Sequence, residues 1–209
     1  MRPFTSVTGI VAPLLRDDID TDAIIPAAYM RSLSTDPAQG LFARWRYRAD
    51  GTDDPSFVLN EPRFREATFL LAGRNFGCGS SRENAVWALS GFGIRCVFAL
   101  GFSDIFHENA LKAGLVPIAL PPSEHERLAH EATRAALTVS VDVAMQTVAL
   151  PEPPLIRFAL DSRSQARLLR GIDEVDETLT RRARIEQFRI AQRAQYPWLD
   201  VVDTDAAHP

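Results

Sequence analysis

Asn75-Phe76-Gly77-Cys78-Gly79-Ser80-Ser81-Arg82-Glu83 is the stretch that decides how this chain is read. It follows a short apolar run of strand type, Ala67-Thr68-Phe69-Leu70-Leu71. It precedes a segment, about Arg82 to Leu89, that fits a helix with Gly91 and Gly93 as stop signals. Strand, glycine-rich turn and helix in that order put a helix N-terminus beside the turn, where unpaired N–H groups and the dipole favour an anion. Gly77 and Gly79 allow backbone conformations closed to other residues, so their N–H groups can point at a ligand. Ser80 and Ser81 add two hydroxyls, and Arg82 adds a planar fork suited to a carboxylate. Such a segment suits a small carboxylate or phosphate held against a serine. The same residues also fit a serine-capped helix with Arg82 as a surface charge, and spacing alone does not separate the two readings.

Working outward, Ile94–Leu100 reads as a second buried strand. Ser103–Ala113 follows as a helix with Ser103 as N-cap and Gly114 as its C′ residue. Val116–Leu120 is a third strand, closed by Pro121-Pro122. This alternation predicts an α/β unit with a largely parallel sheet. Upstream, Ser6–Leu15 is a first strand, and the acidic run Asp17 to Asp22 leads into Ala23-Ile24-Ile25-Pro26. From Tyr29 to Pro62 regular period is lost, while Phe42, Trp45, Tyr47 and Phe57 predict an ordered excursion rather than a linker, a long loop of the functional or mobile kind. Downstream, Glu124–Leu137 is an amphipathic helix, Thr138–Val143, Thr147–Leu150 and Ile156–Leu160 are β-type, and Ser162–Gln195 is helical and charged. The expected organisation is one domain over residues 1–200, with 162–200 a helical C-terminal extension and 201–209 a frayed tail.

Composition narrows the function. With 209 residues, 46% of them hydrophobic, the chain can build a single real core. A net charge of −4 argues against a nucleic-acid binder. Lys112 is the only lysine, so cationic contacts fall to arginine and favour bidentate pairing with carboxylates. No apolar stretch approaches the ~18 residues of a membrane span. The opening MRPFTSVTGIVAPL has no signal-peptide core, so a cytoplasmic location is expected. Cys78 and Cys96 make no disulfide framework and cannot supply the ~4 thiolates of an iron–sulfur cluster.

Several motifs fail on inspection. Ser80 directly after Gly79 rules out a P-loop, and Arg82 stands where a dinucleotide fingerprint needs its third glycine. Asp18-Ile19-Asp20-Thr21-Asp22 is not a calcium loop, because Ala23 and Tyr29 occupy the places of the required Gly and Glu. His107-Glu108 is not a zinc helix, since Leu111 replaces the second His. All four histidines read as structural or solvated, and no metal site is expected. Cys78 could act as a thiol at a helix N-terminus, but has no His partner nearby in sequence.

Three segments, in order and at matching spacing, resemble the small subunits of isopropylmalate isomerases, which are related to the swivelling C-terminal domain of aconitases. They are Asp18-Ile19-Asp20-Thr21-Asp22-Ala23-Ile24-Ile25-Pro26, then Asn75 to Glu83, then Phe102-Ser103-Asp104-Ile105-Phe106 with Asn109. The resemblance covers roughly residues 5–180 and implies an α/β fold, the aconitase-like swivelling β/β/α domain with a helical C-terminal tail. It implies a hydro-lyase that isomerises 2-isopropylmalate and 3-isopropylmalate in leucine biosynthesis, active only with a large subunit. That partner is expected to carry a [4Fe-4S] cluster acting as Lewis acid on the departing hydroxyl, while this chain carries no cofactor.

By resemblance, Ser80 is the catalytic base and Asp22 an active-site aspartate that orients its neighbours. Gly79, Ser81 and Arg82 bind the hydroxy-diacid, and Tyr29, Met30 and Arg31 lie in a substrate-recognition loop. Met30 suits an isopropyl group, and suits ordinary core packing equally well. Asn84 stands where the family has His and Val86 where it has Pro. Glu174-Val175-Asp176-Glu177-Thr178 follows Gly171-Ile172-Asp173 in place of the usual ending. These departures leave open a paralogue acting on methylmalate- or dimethylmalate-type acids, or a non-catalytic carboxylate-binding protein.

Overall fold

The computed structural model describes residues 1–30 and 36–199. The chain divides into two compact units at Gly171. The first unit runs β1 (Ser6–Leu14), α1 (Thr21–Ile24), α2 (Ala43–Arg46), β2 (Phe69–Ala72), α3 (Glu83–Phe92), β3 (Cys96–Ala99) and α4 (Asp104–Ala113). It continues with β4 (Val116–Ala119), α5 (Pro122–Arg134), β5 (Thr138–Asp142), β6 (Thr147–Ala149), β7 (Ile156–Arg157) and α6 (Ser162–Arg170). One seven-stranded sheet has the order β4-β3-β2-β1-β5-β6-β7.

The sheet is mixed rather than largely parallel. Strands β1 to β4 pair in parallel, whereas β5, β6 and β7 add to β1 as an antiparallel meander. Connection length explains the division. Parallel neighbours need a crossover, which α3 and α4 supply, but only Val143 to Gln146 separate β5 from β6, and so short a link can only reverse direction.

Both faces of the parallel half are covered, as parallel strands require. Period-two alternation sends Leu70, Ala72, Val97 and Ala99 to one core with α3 and α4, where Phe106 and Ala110 are buried. Phe69, Leu71, Cys96 and Phe98 go to the other core, under Leu128 and Ala132 of α5 and Leu168 of α6. Helix α4 begins and ends as its sequence predicts, with Ser103 Oγ accepting from Phe106 N and Gly114 closing it in the left-handed region. Helix α3 runs through Gly91, one expected stop, to Gly93. The burial of Ala85, Val86, Ala88 and Leu89 outweighs the ~1 kcal/mol that a mid-helix glycine costs.

The segment between α1 and β2 is held by aromatic side chains that join the core under α3 and α4. Phe42, Phe57 and Phe64 are buried, and Trp45 stacks on Phe42 with ring centroids 5.8 Å apart. Asn60, also buried, donates from Nδ2 to the carbonyls of Arg46 and Asp54 at 2.6 and 2.8 Å. The second unit contains α7 (Glu174–Leu179), opened by a reciprocal Asp173/Asp176 capping box, and α8 (Arg182–Gln195). The helical end expected as one stretch is thus interrupted, first at Gly171 in the left-handed region and again around Arg181.

Candidate functional site

Three loops leave the carboxyl ends of the parallel strands β1, β2 and β3, the edge where open α/β sheets place their ligands. They remain laddered beyond the strands. Gly73 N donates to Arg16 O, Asp18 N to Arg74 O, Gly77 N to Ile19 O and Thr21 N to Cys78 O, all at 2.8–2.9 Å. On the other side Phe76 N donates to Gly101 O and Ser103 N to Phe76 O, both at 3.0 Å. The glycine-rich turn is therefore clamped between the β1 and β3 loops.

Each acidic side chain of the β1 loop has its own structural partner, which explains an acidic run that is not a cation loop. Asp17 accepts from Arg74 N at 2.7 Å and Asp18 from Asn75 Nδ2 at 2.8 Å. Asp20 caps α1 through Ala23 N at 2.6 Å. Among the described residues of this loop, Asp22 alone pairs with arginine side chains. Its Oδ1 accepts from Arg82 Nη1 at 2.6 Å, and its Oδ2 pairs with Arg44 Nη1 at 2.7 Å. The hydrogen bond from Arg82 holds the Asp22 carboxyl below its ordinary range, against partial burial and with help from Arg44. Asp22 is thus an ionised acceptor bridging two cations.

Ser80 and Ser81 are exposed at the mouth of α3, and Arg82 is the N-cap residue, with no side chain capping the helix. Thr21, itself buried, donates from Oγ1 to the carbonyl of Ser80 at 2.8 Å, fixing that peptide in place. Gly79 has φ +84°, and a Cβ there would meet Asp20 Cβ at 3.5 Å, an ordinary contact. Arg82 also donates from Nη1 to the carbonyl of Ile25 at 3.2 Å. Its hydrogen bonds to other described residues all run through Nη1.

The structure therefore brings Asp22, Gly79, Ser80, Ser81 and Arg82 together. Tyr29 and Met30 form a single 3₁₀ turn after α1 and pack, half-buried, against the core that contains α3 and α4. Arg31 lies outside the described residues. Two participants escaped the sequence reading, Thr21 and Arg44. Thr21 sits within the first matching segment and could have been found by asking which side chain braces the turn. Arg44 lies in the aperiodic excursion, where nothing local marks it. Cys78 is only half-buried, but burial and then the nearby Asp20 and Asp18 push its thiol pKa up, against a role as thiolate. Burial drives Cys96 well above its usual range. Among the described residues no group of three His, Cys, Asp or Glu side chains could hold a metal ion. No described helix is long and apolar enough to cross a membrane.

The chain is similar to proteins already known. The aconitase C-terminal domain family matches residues 1–123. A 3-isopropylmalate dehydratase small subunit of Cupriavidus necator is 48% identical over 205 residues, 95% of this chain and 98% of that one. Another from Methylorubrum populi is 44% identical over 200 residues, covering 95% of this chain and all of its own. A crystal structure of 3-isopropylmalate dehydratase from Methanocaldococcus jannaschii superposes with a TM-score of 0.62 at 30% identity, over 88% of this chain and 99% of that one.

Proposed function

The chain belongs to the 3-isopropylmalate dehydratase small subunits of the aconitase family, and from that premise we propose how its residues carry out their half of the reaction. As such a subunit it serves a hydro-lyase of leucine biosynthesis, which interconverts 2-isopropylmalate and 3-isopropylmalate by removing and restoring water. A small subunit implies a large one. Two cysteines, one of them buried, do not fit an iron–sulfur cluster, so the [4Fe-4S] group belongs to the large subunit. When bound there, the cluster supplies Lewis acidity to the departing hydroxyl.

The single observation that carries the assignment of roles is an exposed serine on a turn whose backbone is clamped from both sides. Ser80 takes the carbon-bound proton of the diacid during dehydration and returns one during hydration. An unassisted serine is a poor base, and stabilisation of its alkoxide falls to nearby fixed dipoles and to Arg82. Thr21 fixes the Ser80 peptide, so the hydroxyl is pre-positioned. Arg82 and Ser81, with the Gly79 amide, bind a substrate carboxylate. Asp22 holds Arg82 in place and, being ionised with a lowered pKa, does not itself exchange the proton. Tyr29, Met30 and Arg31 belong, by family resemblance, to the loop that recognises the substrate, and Met30 suits its alkyl group. Of the family departures, Val86 is buried on α3 and acts on helix packing, while Asn84 is half-buried in the first turn of that helix.

The test is Ser80→Ala in the enzyme reconstituted with its large subunit. Complex formation persists and turnover falls by at least about a hundredfold, the lower end of what a positioned acid–base group contributes. Turnover within a few-fold of the unsubstituted enzyme would remove Ser80 from this role.

A further inference from the structure

We propose that Arg44 is a second carboxylate-binding residue of this site, holding the carboxylate of the diacid that Arg82 does not. The inference rests on the functional reading above and extends it to a residue outside the family motifs. Arg44 Nη1 lies 2.7 Å from Asp22 Oδ2, while Arg82 Nη1 lies 2.6 Å from Asp22 Oδ1. Two guanidinium groups thus flank one carboxylate and leave the trio with a net positive charge. A dianion with carboxylates on adjacent carbons is complementary to two cations held that close together.

The two arginines differ in depth. The Arg82 side chain is 22% exposed and begins two residues from Ser80, so it takes the carboxylate nearest the reacting carbon. The Arg44 side chain is 60% exposed, on the open side, where the far carboxylate arrives. Arg44 is not on a loose arm. Phe42 N, at the start of α2, donates to Ile24 O of α1 at 2.8 Å, and Phe42 is fully buried and stacked on Trp45. These contacts join α2 to α1, so the backbone from which Arg44 extends is tied to the helix that carries Asp22. An ion pair as exposed as Arg44–Asp22 contributes little to folding, so fold stability does not account for a cation at this spot. The part of its fork not used on Asp22 suits bidentate binding of a carboxylate.

The experiment compares Arg44→Ala and Arg44→Lys with the unsubstituted chain, each assembled with the large subunit and assayed on isopropylmalate. It includes inhibition by isopropylsuccinate, a diacid, and by 4-methylpentanoate, its one-carboxylate counterpart. In R44A, KM rises about tenfold with kcat within about threefold, as for loss of one solvent-accessible charged hydrogen bond. Isopropylsuccinate weakens by the same factor, 4-methylpentanoate is unaffected, and R44K recovers most of the loss because it keeps the charge. An unchanged KM, a fall in kcat alone, or equal weakening of both inhibitors would overturn the proposal. An unsubstituted assembly that binds its partner yet does not turn over isopropylmalate would instead refute the functional reading itself.

Discussion

Gly77 and Gly79 both have positive φ, +75° and +84°, yet alanine at the two positions should have different consequences. The backbone cost of placing an L side chain in that region is shared, roughly 1–2 kcal/mol at each site. The space is not shared. A Cβ at Gly79 meets Asp20 Cβ at 3.5 Å, an ordinary contact, whereas a Cβ at Gly77 would fall into the ring of Phe106. That ring cannot step aside: Phe106 is 2% exposed and lies 5.1 Å from Phe76 and 6.2 Å from Phe102, centroid to centroid. Nor can the turn retreat, since Gly77 N donates to Ile19 O at 2.8 Å and Gly77 O accepts from Ser103 Oγ at 2.6 Å. Overpacking of this kind adds about 1–3 kcal/mol. Gly77→Ala should therefore destabilise by about 2–5 kcal/mol and Gly79→Ala by about 1–2 kcal/mol, a gap worth roughly 3–10 °C in melting temperature at this chain length. Urea denaturation of the purified chain measures both variants at a common m-value. If Gly79→Ala proves equally or more damaging, the clamped packing of the turn against Phe106 is wrong.

Two further outcomes follow from the same clamp. Thr21→Val keeps the buried shape but removes the donor to the Ser80 carbonyl, so it should cost about 1–2 kcal/mol and lower kcat more than it raises KM; an unchanged kcat in the assembled enzyme would show that the Ser80 peptide needs no brace. Asp22, whose pKa is lowered in the folded state, contributes stability that is fully present above the ordinary carboxylate value of about 4 and is lost as pH falls through the lower folded value. The melting temperatures of the unsubstituted chain and Asp22→Asn should therefore keep a constant separation from pH 8 to about pH 5 and converge only in more acidic solution. A separation that changes between pH 6 and 8 would assign the titration to another group.

How much of this the sequence disclosed depends on whether the signal was local. The strand–turn–helix around Gly77, the Ser103 cap and the Gly114 stop are written in adjacent residues, and the structure has them where the sequence puts them. Strand direction is not local. Thr138 to Arg157 reads as β either way, and only the absence of a crossover helix makes that half antiparallel. The stop at Gly91 failed because propensity was weighed without the core, which holds the last turn of α3 in place. In the site, Ser80, Arg82 and Asp22 lie within recognisable motifs. Arg44 is separated from Asp22 by 21 intervening residues without helical or strand period, and its guanidinium meets Asp22 only through the Phe42 and Trp45 packing that seats α2.

That packing has a consequence for where the chemistry can reside. The Ser80 turn is held by backbone hydrogen bonds to the loops of β1 and β3, and the strands β2 and β3 on either side of it are buried throughout. Its rigidity therefore comes from this chain alone and does not wait for a partner. The charged group above it is different: Asp22, Arg44 and Arg82 meet through side chains that remain 22–60% exposed, where water screens their attraction. A second chain closing over that surface would exclude the water and strengthen every charge interaction at once, including that with a bound diacid. The isolated subunit should accordingly bind isopropylmalate weakly and with strong dependence on salt, and affinity should rise and salt dependence fall on assembly with the large subunit. Calorimetric titration of both forms at two ionic strengths measures this, and tight, salt-insensitive binding by the isolated chain would show that the site needs no covering.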